Sequence, residues 1–213
     1  MLSYVPGGLI DTCFYLESMI MDQNQIFPDP RYVKRKEIKK KVFRACIFIF
    51  LILLLILFDQ WTKILAAKYL RDINAFVLIP GVLELRYLEN TGAAFSMMAN
   101  VSVFQSIMKV LTPLIVLCLF VFLAFIPAKK RFRYLTIDLV FIIAGALGNY
   151  VDRLIRQSVI DFIYFSLIDF PIFNVADIYV TCSVIFLFFL ILFYLKDEDL
   201  EELKNAMPFL GKH

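Results

Sequence analysis

The stretch Ala45-Cys46-Ile47-Phe48-Ile49-Phe50-Leu51-Ile52-Leu53-Leu54-Leu55-Ile56-Leu57-Phe58 carries no charge and no proline or glycine. Crossing a hydrocarbon core of roughly 30 Å takes about 20 mostly apolar residues in a helix. Extended through Asp59-Gln60-Trp61-Thr62-Lys63 to about Ala67, this run is long enough to span a membrane. On its N-terminal side it meets a basic block, with eight Lys or Arg and one acid, Glu37, between Arg31 and Arg44. Asp59 and Lys63, four residues apart, share one helix face.

The same pattern recurs down the chain. Apolar runs predict spans from about Val103 to Ala128, with Pro113 tolerated inside a helix bundle, from about Tyr134 to Ile155, and from about Phe173 to Leu195. A second basic block, Lys129, Lys130, Arg131 and Arg133, separates the second span from the third. The whole sequence is 61% hydrophobic with 23 Phe and a mean hydropathy of +0.78, too apolar for a water-covered surface. The net charge of +3 comes with bases gathered in two blocks, which is a membrane pattern and excludes a nucleic-acid footprint. Lys and Arg concentrate on the cytoplasmic side, so both termini are expected inside. The outer ends then receive Asp59, the loop 68–100, Asn149, Asp152, Arg153, Asp161, Asn174 and Asp177.

Within that loop the alternation Val82-Leu83-Glu84-Leu85-Arg86-Tyr87-Leu88 predicts short strands outside the bilayer, while Asp161 and Asp169 are placed in a loop before the fourth span. The fold class that follows is an all-α membrane protein of four transmembrane helices, with a small extracytoplasmic β-structure between helices 1 and 2. Three parts are expected: residues 1–41 as a cytoplasmic extension with the basic block, 42–195 as the membrane domain, and 196–213 as a charged cytoplasmic tail. Residues 1–30 hold four acids and no base, unlike a secretory signal peptide; a short amphipathic piece is conceivable over Leu9 to Met21. Cys13, Cys46, Cys118 and Cys182 fall singly and read as small apolar fillers, with no metal site among them. The only histidine is His213, which excludes His-based metalloproteases and Ser-His hydrolases.

Ionisable groups within or at the ends of spans are costly and either pair or serve a function. Asp138, beside the second basic block, is expected to pair with a nearby Lys or Arg. Asn149, Asp152 and Arg153 form one polar face at i, i+3 and i+4, and Arg153 is expected to pair with Asp152, with contact to a lipid phosphate as the alternative. Asn174 and Asp177 repeat the idea in the fourth span. The residues alone leave open a membrane protease, a small transporter in which Asp161, Asp177 and Arg153 bind an ion or relay protons, and a structural protein whose polar groups only join helices.

Five motifs narrow this choice. Asp59-Gln60-Trp61-Thr62-Lys63, Asn90-Thr91-Gly92-Ala93-Ala94-Phe95-Ser96, Gly145-Ala146-Leu147-Gly148-Asn149-Tyr150-Val151-Asp152-Arg153, Val159-Ile160-Asp161-Phe162 and Phe173-Asn174-Val175-Ala176-Asp177 resemble, in order and spacing, the motifs of bacterial lipoprotein signal peptidase, the type II signal peptidase. Each motif alone is weak, but five in order over about residues 42–195 are specific. The resemblance implies a membrane-embedded aspartic endopeptidase that removes the signal peptide from diacylglyceryl-modified prolipoproteins just before the lipidated cysteine. It implies Asp161 and Asp177 as the catalytic pair, and Asp59, Lys63, Asn90, Gly92, Asn149, Asp152, Arg153 and Asn174 as substrate-binding or supporting residues. It further implies a sheet cradle over about 70–100, no cofactor and no metal, prolipoproteins and membrane lipids as partners, a working monomer, and a bacterial inner-membrane location with the site near the outer face. The long acidic start and the short Tyr164 to Pro171 segment depart from the family without touching a motif.

Overall fold

The computed structural model describes residues 29–92 and 101–207. The amphipathic reading of Leu9 to Met21, residues 93–96 of the second motif, and His213 lie outside them. Contacts divide the chain into two units, Met1–Ile47 and Phe48–His213. In the first, helix α1 (Pro30–Tyr69) begins; Asp29 accepts a hydrogen bond from the Arg31 backbone at 2.8 Å, and the bases Arg31, Lys34, Arg35, Lys36, Lys39, Lys40 and Lys41 are exposed.

The second unit holds the remainder of α1 and everything after it. Helices α2 (Val101–Phe125), α3 (Arg133–Ile155) and α4 (Val175–Phe189) follow in order, with a single wide π turn, Leu190–Tyr194, continuing α4. Among the described residues, four helical stretches are long and apolar enough to cross a membrane: Lys34–Tyr69, Val103–Phe125, Lys130–Ile155 and Val175–Tyr194. Most of their apolar side chains face outward, as a lipid solvent allows. Leu53, Leu57, Val110, Leu117, Val184 and Phe188 are all exposed.

Where α1 ends, strands β1 (Phe76–Ile79) and β2 (Leu83–Asn90) form a hairpin. Gly81 takes the positive φ of 71° in its turn. The third strand was not foreseen. Residues 159–165, read as loop, form β3 (Val159–Phe165), which pairs antiparallel with β2 in a sheet of order β1-β2-β3. The small sheet therefore draws on the connection between α3 and α4 as well as on the loop after α1. β2 carries one extra residue between the pairs Leu85↔Ile163 and Leu88↔Asp161, a bulge that changes which side chains share a face. One face of β3, Ile160 and Phe162, buries against Ala66 and Leu70 of α1. The opposite face carries Asp161.

Small residues bring the helices close at this end. A Cβ on Gly148 would meet Asp59 Oδ2 at 2.7 Å and Ala176 Cβ at 3.3 Å, and one on Gly145 would meet the Ala176 carbonyl at 2.6 Å. These two glycines let α3 lie against α4, and let Gly148 meet Asp59 of α1. At the other end, the basic turn between α2 and α3 is covered by helix α5 (Asp197–Ala206). Asp199 accepts from Arg131 Nε at 2.8 Å and Glu202 from Lys129 at 2.7 Å, while Leu203 and Met207 join Ile126, Phe132, Leu135 and Leu139 in the core.

Asp138 does not find the basic partner expected of it. Among the described residues no ion pair involves it; it is 3% exposed, hydrogen-bonds Ser183 and leaves Oδ2 without a partner. It sits in a cleft of about 440 Å³ lined by α3 and α4 side chains such as Phe141, Tyr179 and Phe186. Counted from Arg133, it lies more than a turn inside α3, beyond reach of the basic turn that sequence proximity suggested.

Candidate active site

The N-terminus of α4 organises the site. A helix start leaves backbone N–H groups without partners, and here polar side chains take them. Asn174 is the N-cap: its Oδ1 accepts from the Asp177 backbone N–H at 3.0 Å, and Asp177 Oδ2 accepts from the Asn174 N–H at 3.1 Å, which together form a capping box. Asp59 Oδ1, reaching across from α1, accepts from the Ala176 N–H at 2.9 Å.

Asp161, on β3, meets Asp177 around the same asparagine. Asn174 Nδ2 donates to Asp161 Oδ1 at 2.6 Å. Asn90, on the neighbouring strand β2, donates to Asp161 Oδ2 at 2.8 Å, and Asn149, on α3, donates to Asp177 Oδ1 at 2.8 Å. All four carboxyl oxygens of the two aspartates thus accept an N–H.

The orientation of each amide is dictated by a neighbour that can only donate. Asn90 Oδ1 accepts from the Gly92 N–H at 2.8 Å, so its Nδ2 must face Asp161. Asn174 Oδ1 is committed to the Asp177 N–H. Asn149 Oδ1 accepts from the Lys63 ammonium at 2.9 Å, so its Nδ2 must face Asp177; it also accepts from Asn174 Nδ2 at 3.0 Å. Gly92 holds φ +88°, and any Cβ there would strike the Phe104 ring at 2.4 Å. That turn is tied to α2 by Gln105 Nε2, which donates to the Thr91 carbonyl at 2.7 Å.

Beneath the amides lies a buried charge cluster. Lys63, Asp59 and Asp152 are all 0% exposed. Lys63 Nζ stands 2.8 Å from Asp59 Oδ2 and 2.9 Å from Asp152 Oδ2. Gln60 Nε2 donates to Asp59 Oδ2 at 3.2 Å and to the Gly148 carbonyl at 3.1 Å. A fully buried lysine requires such partners, and three oxygens surround this one: Asp59 Oδ2, Asp152 Oδ2 and Asn149 Oδ1.

Two expectations are revised. Asp152 pairs with Lys63 and with Arg156, one turn further along α3, and not with Arg153. Residues i and i+1 point about 100° apart around a helix, whereas i and i+4 are neighbours. Arg153 instead feels the charges of Asp177 and Asp161; its Nη1 donates only weakly to the Asn149 carbonyl, at 3.4 Å, and among the described residues its buried Nε has no partner. Arg156 and Gln60, absent from the expected set, belong to the cluster, and the i+4 spacing from Asp152 was the available signal for Arg156. Every other residue on that list, Asp59, Lys63, Asn90, Gly92, Asn149, Asn174, Asp161 and Asp177, converges here.

Burial pushes the Asp161 carboxyl up to about 6, and the charge of Asp177 adds to this, while the amides of Asn90 and Asn174 and the Lys63 ammonium draw it partly back. A second acid beside it therefore adds to the cost of ionising Asp161.

The family described as signal peptidase (SPase) II matches residues 51–193. The chain belongs to this family. Lipoprotein signal peptidase of Streptococcus thermophilus is 37% identical to it over 148 residues, covering 70% of this chain and 92% of that protein. The counterparts from Streptococcus pyogenes and Caldanaerobacter subterraneus are each 36% identical, over 153 and 146 residues, covering 72% and 68% of this chain and 95% of each relative. A bacterial membrane enzyme solved at 1.9 Å resolution superposes with a TM-score of 0.60 at 29% identity, covering 70% of this chain and 94% of that structure. The signal peptidase II match spans all five motifs; α5 and the basic start of α1 lie outside it.

Proposed function

We propose that this signal peptidase II family member is an intramembrane aspartic endopeptidase that cuts prolipoproteins immediately before a cysteine carrying diacylglyceryl. The observation that supports it most is the pairing of Asp161 and Asp177 around Asn174, with every carboxyl oxygen met by an N–H donor. Hydrolysis of a peptide by two carboxyls needs one to take a proton from water and the other to polarise the scissile carbonyl and protonate the leaving amine. The upward push on Asp161 favours it as the holder of the shared proton, leaving Asp177, fixed by the capping box and Asn149, to act on the water. As the amide bond breaks, the water's oxygen bonds to the carbonyl carbon, and its proton reaches the amine through the pair.

Arg153 faces this site with donors to spare, which suits it to a substrate carbonyl. Asp59, Lys63, Asn90, Gly92, Asn149, Asp152 and Asn174 hold the pair in place. The domain of 42–195 is placed in the bacterial inner membrane, working as a monomer, with both basic blocks and both termini cytoplasmic and the aspartates near the outer face. A substrate anchored by its own lipid and signal helix is thereby held at the depth of the pair, which lowers the entropic cost of attack.

The test is cleavage of a synthetic prolipoprotein peptide with and without diacylglyceryl on its cysteine, with products read by mass spectrometry. The expected result is one cut, N-terminal to the cysteine, in the lipidated peptide alone. Equal cleavage of both peptides, or a cut elsewhere, overturns the assignment of substrate.

A further inference from the structure

We propose that Arg156 is a positioning residue for this reaction, holding Asp177 in its reactive orientation through Asp152, Lys63 and Asn149. The proposal rests on the aspartic reading above and deepens it.

The chain of contacts is continuous. Arg156 Nη1 donates to Asp152 Oδ1; Asp152 Oδ2 meets Lys63; Lys63 donates to Asn149 Oδ1; and Asn149 Nδ2 donates to Asp177 Oδ1. Each link has a defined direction because Arg and Lys only donate, carboxylates only accept, and the amide does one on each side. Among the described residues, Asn149 is the side chain that donates to Asp177.

Without Arg156, Asp152 keeps one cation, which it shares with Asp59. Its carboxylate is then free to rotate toward Lys63 and draw the ammonium off Asn149. An amide that loses the donor on Oδ1 no longer has a reason to keep Nδ2 on Asp177.

The side chain of Arg156 is a third exposed, so replacing it opens no cavity. Its backbone N–H, which closes α3 onto the Asp152 carbonyl at 2.7 Å, is indifferent to the side chain. A plain structural role, a cation near a helix C-terminus, would change stability alone.

Among the described residues, the charged groups around the pair are Asp59 and Lys63 from α1 and Asp152 and Arg153 from α3, while β2 presents the neutral Asn90. These four charges cancel, and Arg156, on Asp152, adds one further positive charge to their surroundings. Removing it leaves the pair in a more negative field, in which the shared proton is held more tightly and the whole pH–rate profile moves to higher pH.

The experiment measures kcat, KM and the pH–rate profile of Arg156→Met and Arg156→Lys, in the full chain in detergent, on the diacylglyceryl peptide. Thermal melting is followed in parallel, and Arg156→Gln replaces the Met variant if that does not stay folded. Expected for Arg156→Met are a kcat lower by roughly three- to tenfold, the size of coupling between contacting groups, an unchanged KM, and a profile displaced to higher pH; Arg156→Lys restores most of both. A wild-type kcat and profile in Arg156→Met, or a change in melting alone, overturns the proposal. Asp177→Asn, assayed beside them, separates the two claims: if it retains turnover, the aspartic reading fails and the relay with it, whereas an inactive Asp177→Asn with an unaffected Arg156→Met removes only the relay.

Discussion

Asp161 is 2% exposed, and its carboxyl, raised to about 6, prefers the protonated form more in the folded protein than in the unfolded chain. Stability from that preference is fully present below the ordinary carboxylate range and is lost as pH rises through about 6, a difference of about 3 kcal/mol between the extremes. The melting temperature of Asp161→Asn, relative to wild type, is therefore expected to become more positive from about pH 4 to about pH 6 and to level off above that. A difference that stays constant with pH contradicts the raised carboxyl. At this scale the motif order singles out Asp161 and Asp177, and the structure brings the two together around Asn174. Their surroundings were only partly legible: the adjacency of Asp152 and Arg153 suggested a pair that helix geometry forbids, and the amide orientations depend on Lys63 and Gly92 arriving from distant segments.

Elements show the same division. Four apolar runs between basic blocks were enough to place four helices, because nothing but a helix satisfies its own backbone in hydrocarbon. Strand β3 escaped because Val159-Ile160-Asp161-Phe162-Ile163-Tyr164-Phe165 is a short apolar run whose partner, β2, lies some seventy residues away, and local period does not separate such a strand from other buried segments. Helix α5 was read only as charge, yet Leu203 is 6% exposed and packs into the core beneath the basic turn. Leu203→Ala should lower stability by about 2 to 4 kcal/mol, as burial of a leucine predicts, whereas Glu202→Ala, which removes a surface pair with Lys129, should cost at most about 1 kcal/mol. Melting of the two variants in detergent gives the comparison. Equal effects would mean that α5 is held by charge and not by its apolar face.

Within the unit from Phe48 onward, exposed apolar helix faces surround a polar seam where α1, α3, α4 and the sheet meet. Asp59 ties α1 to the start of α4, Lys63 ties α1 to α3, and Asn174 at the start of α4 ties it to Asp161 of the sheet, so the site draws on all four elements. Composition is enough to predict a membrane protein and motif order a peptidase, whereas contacts that join distant segments are not legible in local sequence. The central claim is that Asp161 and Asp177 act as one unit. Turnover of the diacylglyceryl peptide by Asp161→Asn, Asp177→Asn and the double variant, each checked for folding, tests it most directly. Groups that act together lose function together, so each single variant should be as inactive as the double. Near-normal turnover in either single variant, or losses that multiply in the double, would contradict it.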